Sequence, residues 1–389
     1  MAWPKEWHCN HRYVGLYVLA RNFVARYSGL GLPTLCGHTM QPFVGLRINP
    51  PGNDPGMAMM TGRATMNRPS VKRRVLALCT AAGLGVGLGL AALPAKAETF
   101  ITVLTGGTSG VYYPLGVALS NVYGKALPGA KVTAQATKAS VENLNLLQAG
   151  RGEIGFTLGD SLSDAWKGNE EVGFKQKLDK LRTIAAIYPN YIQVVAAKES
   201  GIRTLADLKG KRVSVGAPKS GTELNARAIF GAAGLTYKDF AKTEYLPFGE
   251  SVDLIKNRQL DATLISAGLG VAAIKDLSSS QEITVVSIPA DIVQKVGDAA
   301  YIAETIPAGT YPGQTEAVPT AAVRNLLVSH SGVSDDAAYA MTKTLFENLD
   351  ALAAAHVAAK QIKLDQTATQ SPVPLHPGAI KYFKEKGLM

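Results

Sequence analysis

The 389-residue sequence predicts an α/β protein of two lobes around a cleft. Three observations predict it. From Phe100 onward, short β-branched runs alternate with segments of helical periodicity, the pattern of strands covered by helices. The chain leaves that rhythm near 189–198 and again near 315–328, which places two connections between two such units. Three helix starts carry small polar residues, and in open α/β sheets ligands sit at the carboxyl ends of strands, where such loops lie.

Residues 1–97 stand outside this fold. Met66–Arg74 is a basic head, Val75–Leu93 a run of small and aliphatic residues, and Ala95-Lys96-Ala97 an A-x-A end. These are the three parts of a secretory signal peptide, cleaved after Ala97. The run is nearly long enough to span a membrane, but Gly83, Gly85, Gly87 and Gly89 make it a poor helix. Residues 1–65 hold Trp3, Trp7, Cys9 and Cys36 with no sustained period. They read as a mis-assigned or disordered N-terminal extension, with Met66 as the natural start.

The elements follow in order. Phe100–Thr105 reads as a strand, Gly106–Gly110 as a tight loop, and Val111–Lys125 as a helix with Val111, Leu115, Ala118, Leu119 and Val122 on one face. Lys131–Thr137 is a second strand. Ser140 caps a helix with the stripe Val141, Leu144, Leu147, and Glu153–Leu158 is a third strand. Arg182–Tyr188 and Ile192–Ala197 are apolar runs separated by Pro189-Asn190. Thr204–Asp207 and Ser220–Glu223 have capping-box spacing. Strands are expected at Arg212–Gly216, Thr243–Leu246, Ala262–Ile265 and Glu282–Val286, with a helix from Ser220 to about Ala233. Val318–Val328 is extended and returns the chain to the first lobe. Ser334 caps a long helix, and Gly378–Lys386 is the last one. The sheets should be mainly parallel. The lobes are expected at 98–188 plus 315–389 and at 189–314.

Charge and cysteine usage exclude several functions. The chain carries +10, but residues 1–97 hold 11 of the 40 Lys+Arg and only 2 of the 30 Asp+Glu. From Glu98 on, 29 basic residues face 28 acidic ones, so nucleic-acid binding is not indicated. All three cysteines, Cys9, Cys36 and Cys79, precede the cleavage point, so the exported part has no disulfide and no thiolate chemistry. His330, His356 and His376 form no metal-ligand spacing. There is no G-x-S-x-G nucleophile elbow. Asp160 and Asp164 read as solvated capping residues, and His376-Pro-Gly as a turn held by a structural hydrogen bond. The chain is therefore not expected to be an enzyme, and no cofactor or metal is expected.

The binding chemistry rests on Thr108-Ser109, Ser140–Asn143 and Ser220-Gly221-Thr222. Each segment offers hydroxyls and free N–H groups at a helix start, where unpaired donors and the dipole favour anions. A hydroxyl at a helix start is most often only a cap, so the argument needs all three to face one cleft. Tyr112 and Tyr113 lie just inside the first helix; one reaches the cleft while the other packs. Tyr188 sits at the lobe crossing and lines the cleft floor. Lys138 and Lys219 precede Ser140 and Ser220, and either one touching a ligand makes that ligand acidic.

At these residues the sequence resembles the TAXI solute-binding proteins of tripartite ATP-independent periplasmic (TRAP) transporters. The matching segments are Gly106–Gly116, Ala139–Leu144, Leu205–Val213, Ser220–Thr222, Ile306–Gln314 and Pro374–Ala379, in order through nearly all of 98–389. The resemblance implies a type II periplasmic-binding-protein fold, two α/β lobes joined by a hinge around a ligand cleft. It implies a periplasmic receptor that captures glutamate, glutamine, 2-oxoglutarate or a similar small carboxylate and delivers it to an ion-gradient-driven TRAP permease; for a diffusing receptor a monomer is the default. A ligand-binding subunit feeding a sensor kinase is the alternative; a periplasmic enzyme would need a poised base or nucleophile. The family's ligand loop maps onto Thr108, Ser109, Tyr112 and Tyr113, and further onto Ser140, Asn143, Ser220, Gly221 and Thr222. Lys138 and Lys219 stand where the family usually has a small residue, which points to an acidic ligand.

Overall fold

β-branched and aliphatic side chains alternating with helical stripes build one mixed sheet covered by helices. The elements are β1 (Thr99–Leu104), α1 (Tyr112–Ala126), β2 (Ala130–Gln135), α2 (Ser140–Gln148), β3 (Ile154–Leu158), α3 (Gly159–Lys167), β4 (Leu181–Ala197), β5 (Arg212–Ser214), α4 (Gly221–Ala232), β6 (Lys242–Glu244) and α5 (Phe248–Lys256). Then come β7 (Ala262–Ala267), α6 (Ala272–Ser280), β8 (Ile283–Val286), α7 (Ala290–Lys295), β9 (Ile302–Ile306), β10 (Val318–His330), α8 (Asp335–Glu347), α9 (Leu349–Ala355) and α10 (Pro377–Glu385). This computed structural model describes residues 99–366 and 370–389. The expectations for 1–65, for the signal peptide at 66–97 and for cleavage after Ala97 lie outside the described residues. Among those described, no helix is long and apolar enough to cross a membrane.

The strand order is β2-β1-β3-β10-β4-β7-β5-β6, with β8 on β4 and β9 on β10. At each end lies a β-α-β-α-β unit whose first strand is central: β1 between β2 and β3, and β5 between β6 and β7, all parallel. β4 and β10 run antiparallel to each other, and each runs antiparallel to its neighbours. The sheet is therefore mixed rather than mainly parallel. The reason is that β4 and β10 pass directly between the two halves, without the helical crossover that parallel pairing requires.

One expectation fails at Pro189-Asn190. The two apolar runs around it are a single 17-residue strand, β4. Pro189 has no N–H to donate, but it pairs with Arg324 beside a register shift between Arg324 and Leu326. Proline is tolerated in a sheet at such an irregularity.

The helical stripes are buried as their spacing requires. Leu115, Leu119 and Val122 of α1 pack onto β1 and the crossing strands, and Val141, Leu144 and Leu147 of α2 pack against α3 and β10. Each fully buried side chain of this kind contributes roughly 1.5–3 kcal/mol. Two leucines cross between the halves. Leu158 of β3 joins the core formed by β5, β7 and α4, and Leu224 of α4 joins the core of α2 and α3.

The expected caps are partly present. Ser334 accepts from the Ala337 N–H and starts α8. Thr204 and Asp207 form a full capping box, on a short 3-10 turn rather than an α-helix. Ser220 accepts from the Glu223 N–H, but the Glu223 carboxylate turns to Arg227 and Tyr237 instead of closing the box. His376 starts α10: Nδ1 accepts from the Gly378 N–H, so the proton sits on Nε2, which donates to the Val333 carbonyl at 3.1 Å. Burial lowers the His376 pKa, which keeps this ring neutral.

Candidate functional site

Four helices begin around one cavity. α1 and α2 follow β1 and β2, and α4 and α5 follow β5 and β6, so the two halves contribute equivalent pairs from the carboxyl ends of their strands. The cavity, of about 100 Å³, is lined at α1 by Gly106, Gly107, Gly110, Val111 and Tyr112, and at α2 by Thr137, Lys138, Ala139 and Ser140. The other half supplies Ala217, Ser220, Gly221 and Thr222 at α4, and Pro247 and Phe248 at α5; Leu158, Asn190, Ser266 and Ala267 complete the wall. Drug-sized pockets enclose about 300–1,000 Å³, so this one suits a small solute.

The electrostatics of the lining are one-sided. Among the described residues, Lys138 is the one charged residue of the lining, and no Asp or Glu belongs to it. The first turn of each helix leaves N–H groups without intrahelical acceptors, adding partial positive charge at four places. Ala139 lies at φ 72°, ψ −142°, and Lys219 at φ 62°. L-residues visit these regions at a cost of about 1–3 kcal/mol, and such strain concentrates at functional sites.

The two halves meet here. A Cβ on Gly221 would lie 2.6 Å from Ser140 Oγ and 2.7 Å from Leu158 Cδ1, so only glycine admits this approach. The Glu142 N–H donates to the Lys219 carbonyl at 3.3 Å, and the Ala273 N–H donates to the Ser109 carbonyl at 3.3 Å.

Of the ten residues expected at the site, five line the cavity: Tyr112, Ser140, Ser220, Gly221 and Thr222. Thr108, Ser109, Tyr113, Asn143 and Tyr188 do not. Thr108 is exposed, and Ser109 and Tyr113 are half-buried. Asn143 is a buried clamp: its Nδ2 donates to the carbonyls of Thr105 and Phe156, and its Oδ1 accepts from Thr137 Oγ1. Tyr188 is fully buried beside Gly268 rather than on the cleft floor. Ser140 does not cap α2. Ala139 holds the N-cap position, and Ser140 Oγ accepts from the Leu158 N–H at 3.2 Å. Of the two lysines, Lys138 lines the cavity and Lys219 does not.

The sequence matches the NMT1-like family over residues 103–387. The chain belongs to the NMT1-like family. Among solved structures, this NMT1-like protein is similar to the alkanesulfonate-binding protein SsuA from Xanthomonas axonopodis pv. citri bound to MOPS. Identity is 15% over 75% of this chain and 94% of that one, with a TM-score of 0.43. It is also similar to the periplasmic aliphatic sulphonate binding protein SsuA from Escherichia coli (15% identity, 74% and 83% covered, TM-score 0.38). A putative L-cystine ABC transporter from Listeria monocytogenes is another such structure (17% identity, 68% and 98% covered, TM-score 0.44).

Sequence reasoning missed three kinds of residue in this NMT1-like protein. Pro247 and Phe248 start α5 at the position equivalent to α2, a signal readable only once the two β-α-β-α-β units are aligned. Asn190 and Ser266 are polar residues inside strands; they bond to each other and reach the cavity wall, a pairing between positions 76 apart that no local signal reveals. Asp160 is the clearest correction: it is not a solvated cap but is 4% exposed. Its Oδ1 accepts from the Ser161 N–H, and its Oδ2 accepts from Asn225 Nδ2 at 2.7 Å and the Tyr301 hydroxyl at 2.7 Å. Burial raises its pKa to about 6, against the lowering effect of the Tyr301 and Ser161 hydrogen bonds. Among the described residues, no group of three or more His, Cys, Asp or Glu side chains is arranged to hold a metal.

Proposed function

We propose that this chain is an exported receptor that closes on a small carboxylate and delivers it to a membrane permease. Residues 66–97 direct export and are removed after Ala97, leaving a monomer in the periplasm. One lobe comprises 98–188 with 315–389 and the other 189–314. The solute is of the glutamate, glutamine or 2-oxoglutarate kind, and the partner is the ion-gradient-driven TRAP permease of TAXI systems. One observation carries the reading: the cavity joins one cation and four helix N-termini with no carboxylate, an arrangement that attracts anions. The lining holds no paired base and nucleophile, which supports binding without chemistry.

A thermal-shift screen of the purified protein against amino acids, dicarboxylates and 2-oxo acids tests this. A ligand at about 100 times its Kd stabilises the folded state by about 2.7 kcal/mol, so a small acid should raise Tm visibly. If only cationic or neutral solutes stabilise the protein, the carboxylate reading is wrong.

A further inference from the structure

A chain of buried hydrogen bonds runs from the cavity to Asp160. The Tyr112 hydroxyl donates to Asn325 Oδ1 at 2.5 Å, and Asn325 Nδ2 donates to the Tyr188 carbonyl at 3.0 Å and to Asn190 Oδ1 at 3.3 Å. Asn190 Nδ2 donates to Ser266 Oγ, Ser266 Oγ donates to Asn225 Oδ1, and Asn225 Nδ2 donates to Asp160 Oδ2 and to the Tyr301 hydroxyl. The Tyr188 carbonyl can only accept, so Asn325 Nδ2 must donate to it, and each following amide and hydroxyl is then turned one way, toward Asp160 Oδ2, which accepts whether or not the other carboxyl oxygen carries a proton. Tyr112, Asn190 and Ser266 in the cavity wall are therefore oriented by a residue outside it.

The same carboxylate joins the two halves. Asp160 stands on α3, behind β3, while Asn225 stands on α4 and Tyr301 just before β9. Separating the halves would replace these two donors by water. In the closed form, the charged and titratable groups that act on Asp160 are the carboxylates of Asp164 and Asp298 and the Tyr301 phenol, with Tyr112 beyond. None of these is a cation. A carboxylate buried without a counter-ion among acidic neighbours favours its neutral form.

We propose that Asp160 is a positioning residue of the solute site that takes up a proton when the two halves close. Closure buries the carboxyl, so the closed form binds the proton more tightly than the open one. By linkage, acidification favours closure, and solute binds with proton uptake. The sign follows from the geometry: closure takes the carboxyl out of water and gives it no cation, and burial accordingly raises its pKa to about 6. Affinity should rise by up to about tenfold per pH unit as pH falls through that window, and should be flat above about pH 7.

The proposal rests on the carboxylate-receptor reading only for its binding arm, so a second arm needs no ligand. In the first, calorimetry with L-glutamate and 2-oxoglutarate is run in buffers of different ionisation enthalpy. The expected uptake is about one proton per solute near pH 5 and about none at pH 8. Asp160→Asn, a permanently neutral isostere, should bind without uptake and with no pH dependence, at an affinity at or above that of the parent at pH 5. Tyr301→Phe removes a donor to the carboxylate and should move the midpoint upward. In the second arm, X-ray scattering of the ligand-free protein should show its radius of gyration falling as pH drops from 7 to 5. Asp160→Asn should remain contracted throughout. If neither acid binds, the carboxylate reading fails and the scattering arm alone decides. No proton uptake with a bound acid, an unchanged radius from pH 7 to 5, or an Asp160→Asn variant that titrates like the parent would overturn the proposal.

Discussion

Gly221→Ala separates closure from folding. The added Cβ would lie 2.6 Å from Ser140 Oγ, 2.7 Å from Leu158 Cδ1 and 3.1 Å from Ser140 Cβ. Carbon atoms pack at about 3.5–4.0 Å, so the shortfall is about 1 Å. Neither neighbour gives way freely: Ser140 Oγ holds the Leu158 N–H, and Leu158 is buried in the core of the opposite half. Overpacking of this kind costs about 1–3 kcal/mol. Gly221 has no positive φ to lose, and alanine is the better helix former, so α4 itself should not suffer. The cost therefore falls on the closed form. At about 1.4 kcal/mol per factor of ten, affinity for the best small-acid ligand should drop about 5- to 150-fold. Calorimetric titration beside a melting curve decides the matter. A Kd within twofold of the parent would refute the closure argument, and so would a collapse of Tm without ligand.

Other outcomes follow from the same geometry. Lys138→Ala should weaken acid binding by less than about fivefold, because the ammonium is exposed and exposed pairs are worth about 0.2–1 kcal/mol; the salt dependence of Kd should shrink with it. Asn143→Ala leaves the Thr105 and Phe156 carbonyls short of a donor. It should cost about 2–4 kcal/mol in chemical denaturation with little change in affinity per folded molecule. Asp160 gives a pH signature in stability. Its folded pKa of about 6 exceeds 3.8, so between these values the folded chain holds more protons and stability falls as pH rises. The fall should reach at most about 2.4 kcal/mol between pH 4 and 7 and be absent in Asp160→Asn; parallel curves for the two proteins would contradict it.

The local half of the fold was legible in the sequence. β-branched runs marked β1 and β7, and the stripe of Val141, Leu144 and Leu147 marked α2, because burial on one face leaves a period in the chain. Pairing direction was not legible, since nothing local in Leu181–Ala197 says that its partner is Val318–His330 running the other way. At the site, small polar residues at helix starts gave Ser140, Ser220 and Thr222. Tyr188, Asn143 and Asp160 escape sequence reasoning for one reason: the environment of each is set by residues far along the chain, not by its neighbours in sequence. Asp160 and Tyr301 are 141 positions apart, and no spacing rule reaches that far.

The long strands β4 and β10 have a mechanical consequence. Both pass from one half to the other without a break in the sheet, and β10 shifts register against β4 at Arg324/Leu326 and Leu327/Val328. Irregularities of this kind concentrate twist. The halves are thus joined by a torsional element rather than a door hinge: opening winds two adjacent strands without melting them. The amides of Ile192, Val194 and Val195, each in a residue paired to β7 on one side and to β8 or β10 on the other, should stay protected from exchange whether the cleft is open or shut. Solute would then be released by a reversible deformation that leaves the core dry.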